Sequence, residues 1–431
     1  LAAPNGHAGG HGRPQKVYIV GSLVFAIGAA FSGSSTGLMM LLISRMAQGV
    51  GAAMTQGTGM AIITSTFPPG ERGKAIGLIM TVVGTGAVAG PAVGGVLVEA
   101  FDWPYVFYLN VPIGLLAAAT ALAVLRWDRP SEREGENSGF DWLGAALSAG
   151  VLVALLMSLT NGHRFGWGSP IILGTTVGFV ALLITFIWWE LRVANPMLDL
   201  RLFKRKSFSL GISAAFFNFL GSSAVLVLIP FYLQGVLGLG PRTAGLMIMP
   251  GAFLMALMGP ITGTLSDRFG WRIFTVGGMA CIATGLLLLS RLNEGSSIVL
   301  VLPGLMLVSA GQGIFYSPNA SSVLSDVELE KYGIVSALLN LVRNGSNIIS
   351  LAMATAIVTA TMSALGFEPS LDAVRDTAGV GVQHAFSVGL RYAFLTMMGL
   401  MIIGMAISAI KPAKSQDLSA ATPTVAGQNP D

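Results

Sequence analysis

Residues 84–95 read GTGAVAGPAVGG, and this stretch decides what kind of molecule the chain is. In a soluble helix each of its glycines would cost about 1 kcal/mol against alanine, and its proline about 3 kcal/mol. Yet it sits in one of the most hydrophobic segments of the chain. The wider spacing is Gly77, Gly86, Gly90–Pro91 and Gly94–Gly95. At about 100° per residue, Gly86, Gly90 and Gly94 fall on nearly one helical face. Such a stripe of small residues lets a second helix backbone approach closely inside a membrane. Pro91 removes one backbone donor and bends the helix at that level. The expectation is a tightly packed, kinked seam between membrane helices, with an ordinary small-residue packing face as the plainer alternative.

Working outward, the 431 residues are 53% hydrophobic and only 10% charged, far from the balance of a soluble domain. Apolar runs of about 20 residues, each long enough for a hydrocarbon core of about 30 Å, recur from Val17 to Ile410. The reading is an all-α, polytopic membrane protein with the lipid bilayer as its surroundings. Twelve spans are expected, at 17–36, 38–64, 74–98, 105–125, 141–162, 171–192, 209–236, 243–264, 273–291, 298–322, 334–362 and 386–410. The Lys and Arg residues lie between these runs without interleaved aromatics, which argues against nucleic acid as a partner. The single cysteine, Cys281, lies in an apolar run and reads as an inert thiol.

Basic residues cluster on one side of this topology: Arg72, Lys74, Arg126, Arg201, Lys204, Arg205, Lys206, Arg268, Arg272 and Lys411 all fall there. By the positive-inside rule that side is cytoplasmic. A cell membrane location, the bacterial inner membrane, with both ends in the cytoplasm follows as the expectation.

The two halves of the chain correspond. AQG at 47–49 answers AGQG at 310–313, and the loop GTLSDRFGWR at 263–272 answers the short GRPQK at 12–16. This pairing gives six spans after residue 207 but four before residue 126, with a pair left between them. The expected division is a remnant of a first cytoplasmic loop (1–16), a partial N-terminal bundle (17–125), a linker with two extra spans (126–206), a C-terminal six-helix bundle (207–410) and a cytoplasmic tail (411–431). Six plus two plus six helices, with the first two lacking here, is the simplest parent arrangement.

The glycine–proline spacing resembles the antiporter signature of the major facilitator superfamily. LLISRMAQGVGAA (41–53) is similar to the fourth-helix motif of its proton-linked drug exporters. FYLNVPIG (107–114), PMLDLRLFKRKSF (196–208) and FYLQGVLGLGPRTAGLMIMP (231–250) look like the fourteen-helix drug:proton antiporter branch. The resemblance implies two pseudo-symmetric helix bundles, secondary transport of a small lipophilic substrate, and exchange for protons. Two departures stand out. HAGGHGRPQK (7–16) carries no carboxylate where the family motif has one, and Trp103-Pro104-Tyr105 lacks the arginine of the usual Trp-Arg-Trp.

Arg45 lies deep in a span, where a charge costs about 2.5–3.5 kcal/mol. Ser309 occupies the corresponding place in the other half, so packing symmetry does not require an arginine there. The resemblance implies a role in proton coupling, against a hydrogen bond to neighbouring groups as the structural alternative. Gly263, Asp267, Arg268, Gly270 and Arg272 mark a tight turn. In the family this loop is a cytoplasmic gate; a solvated, topology-setting loop is the alternative. Gln48, Asn218, Gln234, Gln312, Tyr316 and Asn319 are the polar candidates for a substrate cavity. A few polar groups among Phe and Met suit a lipophilic ligand, cations included, although such residues also serve packing. No cofactor, metal cluster, Ser/His/Asp set or phosphate loop is legible, so an enzyme is not expected.

All twenty Asp and Glu lie in loops or near span ends, and no His lies deep in a span. A proton-coupled exporter needs a group that changes charge within the membrane, and this chain supplies no evident one. Export of a metabolite such as an amino acid or siderophore is therefore carried as a rival reading. A non-transporting membrane module is a second rival, which the deep Arg45 and the one-sided glycine seam oppose.

Overall fold

A computed structural model of the chain describes residues 14–66, 86, 90, 93–124, 141–166, 168–193, 196, 200–325, 327, 332–371, 374 and 380–410. Among the described residues all regular structure is helical: α1 (Pro14–Gly33), α2 (Leu38–Thr66), α3 (Pro104–Tyr108), α4 (Asn110–Val124), α5 (Trp142–Phe165), α6 (Pro170–Glu190), α7 (Lys206–Phe231), α8 (Pro241–Phe269), α9 (Trp271–Leu289), α10 (Ile298–Leu324), α11 (Tyr332–Ala364) and α12 (Val380–Ile410). A 3-10 turn, Leu200–Lys204, leads into α7. α3 and α4 together make one crossing, Pro104–Val124.

Ten of the described helical segments are long and apolar enough to cross a membrane, and the chain is a multi-pass membrane protein. The other two expected positions are helical as far as they are described, with Asp141 as the cap of α5. α5 runs Trp142–Phe165 and so covers the expected 141–162; Trp142–Ser158 is its apolar part among the residues whose side chains are described. Of the span expected at 74–98, positions 86, 90 and 93–98 are helical and the helix runs on to residue 100; the remainder lies outside the described residues. α12 starts at Val380, six residues before the expected 386. Its first turns are polar yet anchored: Gln383 Nε2 donates to the Gly235 carbonyl at 3.2 Å, and His384 Nδ1 meets Glu294 Oε1 at 2.6 Å.

α7 does not end cleanly. Pro230 stands inside it, where the ring crowds the preceding turn and no N–H is available. A π-helical turn, Tyr232–Val236, follows, closed by the Leu237 N–H to the Tyr232 carbonyl at 3.1 Å. Such wide turns absorb local strain in a helical ladder.

In the N-terminal half, α1 packs on α2, α3 and α4. In the C-terminal half, α7 packs on α10, α11 and α12, and α9 on α10 and α12. The core of that half includes fully buried Leu228, Ile229, Tyr232, Leu233, Phe315, Phe386 and Phe394. α5 and α6 pair with each other and touch the C-terminal half where α5 meets α11. Asp141 fixes the pair: its carboxylate caps α5 by accepting from the Gly144 N–H at 2.8 Å and accepts from Trp189 Nε1 at 2.9 Å. Ser158 and Thr176 hydroxyls meet at 2.6 Å further along.

Candidate functional site

The contact between the halves that involves the glycine-rich helix lies at the end bearing Glu99. A Cβ on Gly95 would stand 2.8 Å from the Pro241 carbonyl oxygen, so only glycine allows the first turn of α8 to lie there. One turn on, Glu99 Oε2 accepts from the Arg242 backbone N–H at 3.2 Å. Arg242 is in the first turn of α8, where the unsatisfied N–H groups and the helix dipole favour a carboxylate. The stripe expected from periodicity differs from this contact. Among the described residues, no heavy atom comes within 4 Å of a Cβ on Gly86, Gly90 or Gly94. Gly77 and Pro91 lie outside the described residues.

Arg45 and Gln48 occupy one face of α2. Arg45 Nη1 donates to Gln48 Oε1 at 2.5 Å, and its guanidinium lies 5.3 Å from the centre of the Phe107 ring on α3, within cation–π range. Gln48 is 4% exposed. A Cβ on Gly28 of α1 would be 2.7 Å from the Gln48 nitrogen, so the α1 backbone holds this part of α2 in place.

The turn at the opposite end joins α8 to α9 through Gly270, whose φ of 80° closes one helix and opens the next. That conformation favours glycine. Arg268 and Arg272 are both exposed, and among the described residues neither forms an ion pair. Asp267 is helical; its side chain lies outside the description. Gly263 packs against α10, where a Cβ would be 2.6 Å from Ser317 Oγ.

The cavity candidates divide. Gln312 Nε2 on α10 donates to Ser222 Oγ on α7 at 2.5 Å, and Asn319 Nδ2 donates to the Gly211 carbonyl at 3.2 Å. Tyr316 meets Phe219 edge-on, centroids 6.1 Å apart. Asn218 lies between these levels, 0% exposed, with neither amide atom hydrogen-bonded. Gln312 Oε1 and Asn319 Oδ1 are likewise buried and unbonded. Gln234 is apart from this group, in the π turn at the far end of α7.

Residues 2–351 match the Major Facilitator Superfamily. The chain belongs to this superfamily. It is 32% identical over 342 residues to the riboflavin transporter RibZ of Clostridioides difficile (strain 630), covering 79% of this chain and 72% of that protein. It is 32% identical over 362 residues to the multidrug resistance protein Stp of Mycobacterium tuberculosis (strain CDC 1551 / Oshkosh), covering 83% of this chain and 66% of that one. Among solved structures, a bacterial homolog of the human lysosomal transporter Spinster, inward-facing and unoccupied, superposes with a TM-score of 0.63 at 18% identity, covering 95% of this chain and 85% of the other. At that identity the likeness establishes the fold. The chain is thus an MFS transporter, not an enzyme, similar to drug-resistance exporters.

Several residues of this MFS transporter escape a sequence reading. Glu99 looks like an ordinary loop acid; only its partner on α8 gives it a position between the halves. Ser223 donates to Asn347 Oδ1 on α11, and Ser350 Oγ accepts from the Ala224 N–H at 3.0 Å. The available signal was the helical spacing of Asn347 and Ser350 opposite the Gly221-Ser222-Ser223 run.

Proposed function

We propose that this MFS transporter exports lipophilic small molecules across the cytoplasmic membrane by alternating access, in exchange for protons. The observation that carries the reading is the contact of the two halves at Gly95–Pro241 and Glu99–Arg242. Among the described residues it consists of one close backbone approach and one hydrogen bond, and it joins the first turn of α8 to the glycine-rich helix. Rocking of one half against the other breaks such a contact at modest cost.

In this reading residues 17–125 and 207–410 are the moving halves, 126–206 is the linker, and the Glu99 end faces outward. Gly77, Gly86, Gly90, Pro91, Gly94 and Gly95 belong to the moving interface, and the 263–272 turn is the cytoplasmic gate. Arg45 is the proton-coupling residue. Its fork of N–H donors exchanges Gln48 for water or substrate as the cavity opens. Gln48, Gln234, Gln312, Tyr316, Asn218 and Asn319 supply polar contacts for the cargo.

A second reading, transport of a metabolite, is favoured by the neutral carboxamides of α7 and α10 and by the similarity to a riboflavin transporter. Both are tested by measuring efflux of rhodamine 6G and of riboflavin from cells expressing the chain, with and without a proton uncoupler. Uncoupler-sensitive export of either compound is expected. A well-expressed, membrane-inserted chain that moves neither would sink the transport reading.

A further inference from the structure

Around Ser222 and Ser223 of α7, side chains from three helices converge. Ser222 takes the amide of Gln312 from α10, and Ser223 donates to Asn347 of α11. One turn from Ser222, Asn218 is fully buried with both donor and acceptor unused, and Gln312 Oε1 is buried and unused beside it. Buried carboxamides without partners are rare, and each such atom calls for an explanation. One turn along α11 from Asn347 stands Arg343. It is half-buried, lies on the helical stripe that includes Asn347 and Ser350, and has no ion pair among the described residues.

The charges complete the pattern. Arg45 and Arg343 lie within the candidate spans Leu38–Gly59 and Leu338–Ala364, and Arg391 lies within Gly381–Ile410. Glu190 and Asp267, by contrast, stand within two residues of their helix ends, and the remaining acids lie outside the apolar stretches. Past Glu99 at the end where the halves touch, a lipophilic cation would find guanidinium groups and no carboxylate within the apolar part of the described spans. An acceptor-rich group would meet the Arg343 fork and Asn218 Nδ2. An N–H between two carbonyls would also find Gln312 Oε1 and Asn218 Oδ1.

We propose that Asn218, Gln312, Asn347 and Arg343 form a subsite for the imide or carboxylate edge of an otherwise apolar aromatic ligand, and that this transporter selects neutral or anionic cargo over cations. The inference rests on the transport reading and narrows its substrate class. Gln312, Arg343 and Asn347 are the accessible rim, and Asn218 is the buried floor that gains its partners when ligand or water enters.

The test separates binding from transport. Purified protein in nanodiscs is titrated with riboflavin (a neutral imide), carboxyfluorescein (an anion) and ethidium (a cation), and the same probes are followed in proteoliposomes. Riboflavin and carboxyfluorescein should bind at least tenfold more tightly than ethidium. Arg343→Gln should weaken carboxyfluorescein at least tenfold and riboflavin less than threefold. Asn218→Leu, which replaces the buried carboxamide by an apolar side chain with the same number of heavy atoms and the same branching, should weaken riboflavin. Binding with this selectivity but no transport of any probe would leave the subsite standing and overturn the transport reading. Ethidium bound as tightly as the other two, or carboxyfluorescein unaffected by Arg343→Gln in a correctly folded variant, would overturn the subsite. Failure of folded protein to bind any probe would overturn both.

Discussion

At the scale of single residues, Arg45 is the group whose loss should be felt most. It bonds Gln48 and lies over Phe107 at once. A lysine cannot do both, because its ammonium lacks the planar fork. Arg45→Ala is expected to lower uncoupler-sensitive transport at least tenfold with unchanged expression, and Arg45→Lys should restore little of it. Equal rates for wild type and Arg45→Ala would remove Arg45 from the mechanism. Arg45 was legible in the sequence because a charge within an apolar run is conspicuous. Gln48 was legible as its neighbour in the AQG motif. Asn218 was legible as polar, but its complete burial was not, because hydropathy cannot tell the inside of a bundle from the wall of a cavity. Glu99 was legible only as one of the two acids nearest the membrane, since its contact depends on a helix that begins more than 140 residues later.

At the scale of elements, close approach of backbones is the recurring device. A Cβ on Gly278 of α9 would stand 2.7 Å from the Gly311 carbonyl oxygen of α10. Gly278→Leu therefore overpacks that crossing by about 1–3 kcal/mol and should lower the detergent unfolding temperature by several degrees. At the contact between halves, Gly95→Leu should leave stability nearly unchanged while slowing transport, because it obstructs the approach of α8. Gly174→Leu on α6, where among the described residues nothing lies within 4 Å of an added Cβ, is the matched control and should behave as wild type. Periodicity identified a small-residue helix but not its partner: Gly95 lies about 100° around the helix from Gly94, off the regular stripe, and it is Gly95 that meets α8. The π turn after Pro230 was similarly invisible, because proline signals a break without stating how the ladder recovers. For the linker pair, Asp141→Ala removes the acceptor of both the Gly144 N–H and Trp189 Nε1. The expected result is a red-shifted tryptophan emission and a loss of about 1–3 kcal/mol from the pairing of α5 with α6.

At the scale of the whole molecule, the contact at the Glu99 end predicts a lockable state. With Cys281→Ser as background, Glu99→Cys paired with Arg242→Cys should cross-link under mild oxidation and stop transport, and reductant should release it. Cross-linking without any effect on transport would show that this end need not open. The all-helical, multi-spanning architecture was plain from hydropathy alone, since each crossing must satisfy its own backbone. The mutual placement of the halves was not, because it is set by contacts far apart in sequence. The α5–α6 pair adds an asymmetry of another kind. Joined to the C-terminal half through α5 and α11, it adds lipid-facing surface and viscous drag to that half. In the proposed alternating-access motion the C-terminal half would serve as the keel against which the N-terminal half swings, and a change in bilayer thickness that tilts the pair would act as torque on one side of the pathway.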